Sequence, residues 1–188
     1  MTPKTLSSEK GNAVDTTKTK LVLGHAGKSH PDAITVDIDP EHKPDVIHNL
    51  NEIPWPFKDN QFQEITAHHV FEHLNDLMPV MDEIYRICHP DGRIHIEVPH
   101  HSGWCAHSPE HKMFFNYFAF DGYIQHGKTA WLNKKKFKLI SREITFHRSF
   151  RRYFLHKLFN RFPMNYERFW TYIFPAEHFK ATLQPIKG

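Results

Sequence analysis

The sequence has few cysteines, no long apolar run and no strong excess of charge of either sign. Its two cysteines, Cys88 and Cys105, provide no disulfide framework, which indicates a reducing compartment. Nowhere are there about 18 consecutive apolar residues, so no transmembrane segment is expected, and the first residues lack the apolar core of a secretory signal. A net charge of +3 does not mark the whole chain as a nucleic-acid binder. We therefore expect a cytoplasmic protein without a nucleic-acid partner.

Two common phosphate-binding signatures are also missing. Gly24-x-x-Gly27 is not G-x-G-x-x-G, and no P-loop Lys-Ser/Thr pair follows it. Residues 20–39 instead read as a short apolar strand, a glycine turn and a second β-branched strand that ends in Asp37 and Asp39. Ligands of an open parallel sheet bind beyond the carboxyl ends of its strands. A carboxylate at that position can accept hydrogen bonds from both ribose hydroxyls, so the stretch favours a nucleoside-containing cofactor.

The pattern along the chain predicts one domain over residues 20–188, preceded by a flexible tail at 1–19 that is rich in Thr, Ser and Lys. The link from Gly24 to Ala33 is too short for a full crossover helix. The fold class is α/β: an open, mostly parallel, doubly wound sheet with helices on both faces, an antiparallel edge strand and a shortened first crossover helix. Strands are predicted at 20–24, 34–38, 45–50, 62–68, 93–98, 137–147 and 177–187, and helices at 70–88 and 149–162.

Several segments, in this order and spacing, resemble the S-adenosylmethionine-dependent methyltransferases with a Rossmann-like fold, and among them a small bacterial methyltransferase-domain subgroup. The resemblance covers about residues 20–100 and is looser over 101–188. It implies S-adenosylmethionine as cofactor and methyl transfer as activity. The segments are Leu21–Gly27, Val36–Asp39, Asp45–Leu50, Ile53–Phe57, Asp59–Phe62, His69–Leu74 and His89–Gly92.

The resemblance also implies which residues bind the cofactor. Those facing its methionine part would be Gly24, His25, Ala26 and Gly27. Asp37 would hold the ribose, Ile38 would pack on the adenine, and Asn49 and Leu50 would lie at the adenine edge. His68 and His69 would lie beyond the fourth strand, near the sulfonium. The chain departs from the family at Ala26, where a glycine is usual, and at Gln63-Glu64, where an aspartate often opens the strand.

Histidine is the outlier of the composition, with 17 residues. If several are buried or paired, the protein should be sensitive to acid below about pH 6. Two segments, His69–His73 and His107–His111, match H-x-x-E-H, the spacing of a zinc-peptidase helix. Pro109 disfavours a helix in the second segment.

The same histidines follow strands predicted to be neighbours, so several could line one pocket and take a proton from a substrate hydroxyl. The candidates for this catalytic base are His73, His101 and His111. Three of the histidines could also bind a metal, although no metal site is predicted.

Residues of about 100–131 and 148–172 are predicted to form the acceptor side, because they follow the fifth strand and are rich in aromatic residues. The expected acceptor is a small molecule, such as a sugar hydroxyl or an envelope or secondary-metabolite precursor. The basic amphipathic segment 149–162 could act as a lid or contact an anionic membrane surface peripherally. The alternative function is a metal-binding or regulatory protein on a methyltransferase-like frame without transfer activity. The oligomeric state is not predicted.

Overall fold

The computed structural model describes residues 17–132, 136–151 and 153–187. Residues 1–16 of the tail predicted at 1–19 lie outside the described residues. Seven strands form one sheet in the order β3-β2-β1-β4-β5-β7-β6. They are β1 (Lys20–Leu23), β2 (Ile34–Asp37), β3 (Val46–Ile47), β4 (Phe62–His68), β5 (Cys88–Pro99), β6 (Phe137–Thr145) and β7 (His178–Pro185). The predicted α/β class with a mostly parallel open sheet is confirmed.

The antiparallel strand expected at the edge of the sheet is β7, which lies one strand in from that edge, with β6 outside it. It pairs antiparallel with β5 on one side and with β6 on the other, whereas the strands from β3 to β5 all pair in parallel. The parallel strands therefore place the carboxyl ends of β1, β2 and β4 at one edge of the sheet, where ligands bind in folds of this kind.

The helices are α1 (Leu77–Ile87), α2 (Arg148–Arg151), α3 (Leu155–Arg161) and α4 (Pro163–Asn165), the last continuing into a π-helical turn at Tyr166–Trp170. The helix predicted from residue 70 begins at Leu77 because the Asp76 side chain caps it, accepting a hydrogen bond from the Met78 N–H at 2.9 Å. Before it, Phe71–His73 form a 3₁₀ turn. The apolar residues at 70–74 lie in this turn and the loop around it, and they are buried there although they are not part of an α-helix.

One face of the sheet forms the hydrophobic core. Leu21, Ile65, Ile94 and Leu183 lie side by side across four strands, and each is at most 1 % exposed. The buried residues of α1 and Phe159 of α3 belong to the same hydrophobic cluster. The crossover between β4 and β5 and the connection between β6 and β7 thus both contribute to covering this face.

The opposite face carries polar side chains. Thr66, His95 and Thr182 form one row across β4, β5 and β7, and His68, Glu97 and Lys180 form the next. The connections 24–33 and 38–45 contain no helix beyond the 3₁₀ turn Pro40–His42. The shortened first crossover is therefore as expected. No helix in the described ranges is both long and apolar enough to cross a membrane.

Candidate cofactor and acceptor sites

A pocket of about 370 Å³ lies at the carboxyl ends of β1, β2 and β4, and we call it the cofactor pocket. Its volume is in the range of small-molecule sites. Its lining comes from the glycine turn, the end of β2, the loop after β3 and the turn after β4. The lining residues are Gly24, Ala26, Asp37, Ile38, His48, Asn49, Leu50, Asn51, His69, Val70, His73, Leu74 and Lys112.

The turn after β1 brings the backbone close to this pocket. Gly24 has a φ of +63°, and a Cβ added to it would lie 2.5 Å from Val70 Cγ2. Ala26 takes the left-handed conformation with a φ of +48° in the position where the family usually has glycine. Its N–H donates a hydrogen bond to Asp37 Oδ2 at 3.1 Å. The alanine departure is therefore accommodated by a contact with the acid at the end of β2.

Asp37 is held as a carboxylate at the pocket edge. Its Oδ1 accepts a hydrogen bond from the Asp39 N–H at 3.0 Å, and His42 Nδ1 lies 3.2 Å from Oδ2. Burial by itself would raise the pKa of Asp37, but these backbone bonds, the Ala26 N–H and His42 outweigh it and lower the pKa. An ionised carboxylate beside the 65 % exposed Ile38 can accept hydroxyl hydrogen bonds while Ile38 offers an apolar surface.

The structure places most of the predicted cofactor residues in this pocket. Those in its lining are Gly24, Ala26, Asp37, Ile38, Asn49, Leu50 and His69. His25, Gly27 and His68 are not in the lining. His25 is buried and donates through Nδ1 to the Lys28 carbonyl at 2.9 Å, whereas His68 points to the polar face of the sheet, beside Glu97 and Lys180. The period-two alternation of β4 accounts for His68, because Ala67 faces the core.

Sequence reasoning missed five lining residues: His48, Asn51, Val70, Leu74 and Lys112. His48, Asn51, Val70 and Leu74 adjoin or belong to segments that carry the family resemblance, so their positions were a usable signal. Lys112 had no such signal, because it comes from a distant loop that folds back.

A second pocket, of about 420 Å³, adjoins the first, and we call it the acceptor pocket. It shares His69 and His73 with the cofactor pocket. Its other lining residues are Glu72, Pro99, Trp104, Cys105, His107, Ser108, Glu110 and His111. The loop that supplies residues 104–111 is fastened by the Lys112 N–H, which donates to the Glu72 carbonyl at 2.7 Å.

His69 lies between the two pockets in a strained conformation. Its φ is +54°, its N–H donates to the Glu97 carbonyl at 2.9 Å, and its Nδ1 donates to Glu72 Oε1 at 3.1 Å. The hydrogen bond to Glu72 raises the pKa of His69, against the opposing effect of burial. Left-handed backbone at a non-glycine residue costs free energy and is often found at functional sites.

Of the three candidate bases, the structure brings two together. The rings of His73 and His111 have centroids 4.7 Å apart beside the acceptor pocket. His101 lines neither pocket, and its Nε2 lies 3.1 Å from Glu167 Oε2. From the predicted acceptor side, six residues between 104 and 111 line the acceptor pocket, whereas none of the described residues between 148 and 172 does.

Neither H-x-x-E-H segment is helical. Phe71–His73 form a 3₁₀ turn after the strained His69, and the second segment is a turn in which the His111 N–H donates to the Ser108 carbonyl. The zinc-peptidase arrangement needs two histidines on one helix face, so the structure does not support it.

Comparison with known proteins gives a family match over part of the chain. Residues 19–96 match the sequence model of the family described as "Methyltransferase domain". This match covers the strands that build the cofactor pocket. This part of the chain is a methyltransferase domain, and S-adenosylmethionine is its cofactor. No curated protein sequence matches this chain.

Solved structures share the fold of the methyltransferase at low sequence identity. The protein solved in complex with the Trm112 methyltransferase activator of Haloferax volcanii is 14% identical, with a TM-score of 0.58 over 91% of this chain and 83% of that one. A methyltransferase from Thermotoga maritima is 14% identical, with a TM-score of 0.52 over 89% of this chain and 81% of that one. A methyltransferase from Archaeoglobus fulgidus is 15% identical, with a TM-score of 0.51 over 88% of this chain and 85% of that one.

The residues of the cofactor pocket fit S-adenosylmethionine. A side chain at Gly24 would fill the turn that faces the pocket, and the Asp37 carboxylate is ionised at its edge. Leu50 and Ile38 supply apolar surface for a purine. The pocket is therefore consistent with the methyltransferase activity that the family match supports.

Proposed function

We propose that the methyltransferase acts on a hydroxyl of a small polar acceptor, with a sugar ring as the first candidate. The observation that carries this proposal is the acceptor pocket, whose lining includes four histidines and two glutamates and which shares His69 and His73 with the cofactor pocket. Trp104 lies in its wall and is 88 % exposed, so its indole offers an apolar face on which a sugar ring can pack.

The residues of this chain would divide the work between the two pockets. S-adenosylmethionine supplies an electrophilic methyl group when bound. Asp37 would hold the ribose, and Ile38 and Leu50 would flank the adenine. Positioning of the acceptor oxygen should provide much of the rate enhancement, because well-oriented reactants avoid an entropic cost. His73 and His111 would face that oxygen and assist removal of its proton.

Calorimetry with S-adenosylmethionine and its demethylated product tests the cofactor pocket. Asp37→Ala should weaken binding by about 1–3 kcal/mol, because charge-assisted hydrogen bonds are lost. Asp39→Ala is the matched control: its Oδ1 accepts from the Glu41 N–H at 2.8 Å and it does not line the pocket, so affinity should be kept. No binding of either compound to the wild-type protein at millimolar concentration would overturn the proposal.

Turnover of the histidine variants tests the acceptor pocket. His73→Ala and His111→Ala should each lose about 10²–10⁴-fold in turnover while keeping cofactor affinity. His101→Ala serves as the comparison, because His101 is bound to Glu167 outside both pockets. If His73→Ala and His111→Ala turn over normally, the hydroxyl is deprotonated by other groups and this assignment is wrong.

A small molecule is proposed over a nucleic acid because the acceptor pocket is a cavity of about 420 Å³ and the chain carries a net charge of only +3. Transfer of labelled methyl groups should be measured on sugar nucleotides, on free sugars and on total RNA. Label in the RNA fraction, with none in the small molecules, would show that RNA is the acceptor and would overturn the proposal of a small-molecule acceptor. A Trm112-like protein partner, as solved with the Haloferax volcanii protein, can be added to the same assay.

A further inference from the structure

Glu72 has a buried carboxylate oxygen that lacks a partner. The residue is 1 % exposed, its Oε1 accepts from His69 Nδ1, and its Oε2 has no hydrogen-bond partner. Removing an ionised oxygen from water without a partner costs free energy. This oxygen belongs to a residue in the wall of the acceptor pocket, so a cation there would compensate the cost.

Glu72 also forms a set of possible metal ligands with two imidazoles. One ligand atom each from Glu72, His73 and His111 lies within 4.8 Å of the others. Tetrahedral zinc ligands are roughly 3.3 Å apart, a separation within reach of small side-chain rotations from this arrangement. His111 donates Nδ1–H to the Ala106 carbonyl at 3.2 Å, which leaves the lone pair on Nε2. A backbone acceptor that orients the other ring nitrogen is typical of metal-binding histidines.

The other two clusters of this kind in the described part of the chain already have their carboxylates neutralised. Glu167 accepts from both His100 and His101 and from the Tyr117 N–H. Glu97, near His69 and His178, pairs with Lys180 Nζ at 2.9 Å. The oxygen without a partner therefore distinguishes the Glu72 cluster from the Glu167 and Glu97 clusters.

We propose that Glu72, His73 and His111 bind a divalent transition metal, with Zn²⁺ as the first candidate, in the wall of the acceptor pocket. Three protein ligands leave a coordination position open to the pocket, as in catalytic zinc sites. The role of the metal rests on the proposed function: it would bind the acceptor oxygen and make its hydroxyl more acidic, so that the proton leaves to water. His73 and His111 would then assist proton removal as metal ligands and not as bases.

Metal binding is measured directly, on protein purified without a histidine tag. After stripping with a chelator, equilibrium dialysis against Zn²⁺ should give one ion per chain, and Co²⁺ should give the visible absorption of a low-symmetry site. His111→Ala and Glu72→Gln should weaken Zn²⁺ binding by about 100-fold or more. His101→Ala and His178→Ala, each taken from another cluster, should bind as the wild type does. Thermal unfolding verifies that every variant is folded.

The outcomes separate this inference from the proposed function. Failure to bind one Zn²⁺ at micromolar concentration, or equal binding by wild type and His111→Ala, overturns the metal site. Loss of the ion in His101→Ala assigns it to the other cluster and also overturns the site. Stoichiometric zinc together with no binding of S-adenosylmethionine would leave the metal site in place and overturn the proposed function instead.

A second, independent observation concerns the exposed surface between residues 153 and 173, which we call the aromatic surface. Leu158, Phe162 and Trp170 border a groove of about 440 Å³ and are each at least 42 % exposed. Further large apolar side chains in the same segment are exposed as well: Tyr153, Phe154, Met164, Phe169, Tyr172 and Ile173. So much exposed apolar surface in one segment marks an interaction site.

The charge around the aromatic surface is of one sign. Residues 148–173 contain six Lys and Arg, and Glu167 is their only carboxylate. Glu167 is engaged by His100 and His101, so it does not offset the cations at the surface. Lys157, Arg161 and Arg168 are exposed. Two copies of so basic a surface would repel each other, whereas an anionic bilayer would attract both its cations and its aromatic rings.

We propose that the aromatic surface rests on an anionic lipid bilayer. In co-sedimentation, phosphatidylglycerol-containing vesicles should bind the protein at least tenfold more tightly than pure phosphatidylcholine vesicles. Lys157→Glu with Arg161→Glu should remove about tenfold or more of that affinity, and so should Leu158→Ser with Phe162→Ser. Trp131→Ser is the control, because Trp131 is 81 % exposed outside this segment. Equal binding to both vesicles, or self-association of the protein that the serine variants abolish, would overturn the proposal.

Discussion

Gly24 and Gly27 both have positive φ angles, of +63° and +73°, but their surroundings differ. A Cβ at Gly24 would lie 2.5 Å from Val70 Cγ2, whereas at Gly27 it would meet only His42 Cδ2 at 3.7 Å. Gly27→Ala should therefore cost about 1–2 kcal/mol of unfolding free energy for the left-handed backbone alone. Gly24→Ala should cost about 1–3 kcal/mol more, because the clash adds to it.

Urea unfolding of the two variants measures this difference, and calorimetry adds a second readout. Only Gly24 lines the cofactor pocket, so Gly24→Ala should also weaken cofactor binding while Gly27→Ala should not. Equal stability losses in the two variants would show that Val70 moves aside without cost.

At the scale of the elements, α1 holds the loop at residues 55–59 through an ion pair between the buried Glu83 and the partly buried Arg86. Glu83 Oε2 accepts from the Trp55 N–H at 2.9 Å and from Arg86 Nη2 at 2.7 Å. Arg86 also donates to the Trp55 and Phe57 carbonyls. Glu83→Ala should destabilise the fold by about 3 kcal/mol, because it removes the less exposed carboxylate partner of this guanidinium and leaves the Trp55 N–H without its acceptor.

Asp59→Ala is the matched control for this ion pair. Asp59 binds the same guanidinium at 2.7 Å, but its side chain is 69% exposed. Exposed pairs contribute about 0–1 kcal/mol, so the control should unfold in denaturant nearly as the wild type does. A loss from Asp59→Ala as large as that from Glu83→Ala would contradict the assignment of the anchoring role to Glu83.

For the whole molecule, we expect the cluster of His100, His101 and Glu167 to contribute less to stability as pH falls from about 6.5. Burial lowers the pKa of His100 below its usual 6.5, although Glu167 opposes this, so the unfolded chain takes up a proton first as pH falls. Burial by itself would raise the pKa of Glu167, but its bonds to His100 and His101 outweigh burial and lower the pKa from 4.5 to about 2. Its contribution is therefore present above pH 4.5 and is lost as pH falls toward 2.

Chemical unfolding at a series of pH values tests this dependence. Glu167→Gln should be less stable than the wild type at pH 7, and the difference should shrink between pH 4.5 and 2 as the wild-type carboxylate is protonated. Because this cluster joins the end of β5 to the segment after α4, its loss should loosen both. A difference that is constant with pH would show that the carboxylate charge is not what stabilises the cluster.

Much of the fold follows from local sequence patterns. The apolar runs predicted the principal strands, and the short Gly24–Ala33 link predicted the missing crossover helix. The apolar periodicity at 70–88 predicted a helix that starts too early. Residues 70–74 are buried in a turn, and their spacing gives the same apolar pattern as a helix. The family resemblance located most of the cofactor pocket, since those residues lie within or beside its short segments.

The sequence by itself determined the strand pattern, the acid at the end of β2 and the histidine supply, because each depends on residues near one another in the chain. Only the tertiary structure decided which histidines meet. His73 and His111 are brought together by the Lys112 N–H bond to the Glu72 carbonyl, whereas His101 is drawn to Glu167. It also decided that Glu72 keeps a buried oxygen without a partner. Such contacts join residues distant in sequence, and no local pattern encodes which distant groups will share a pocket.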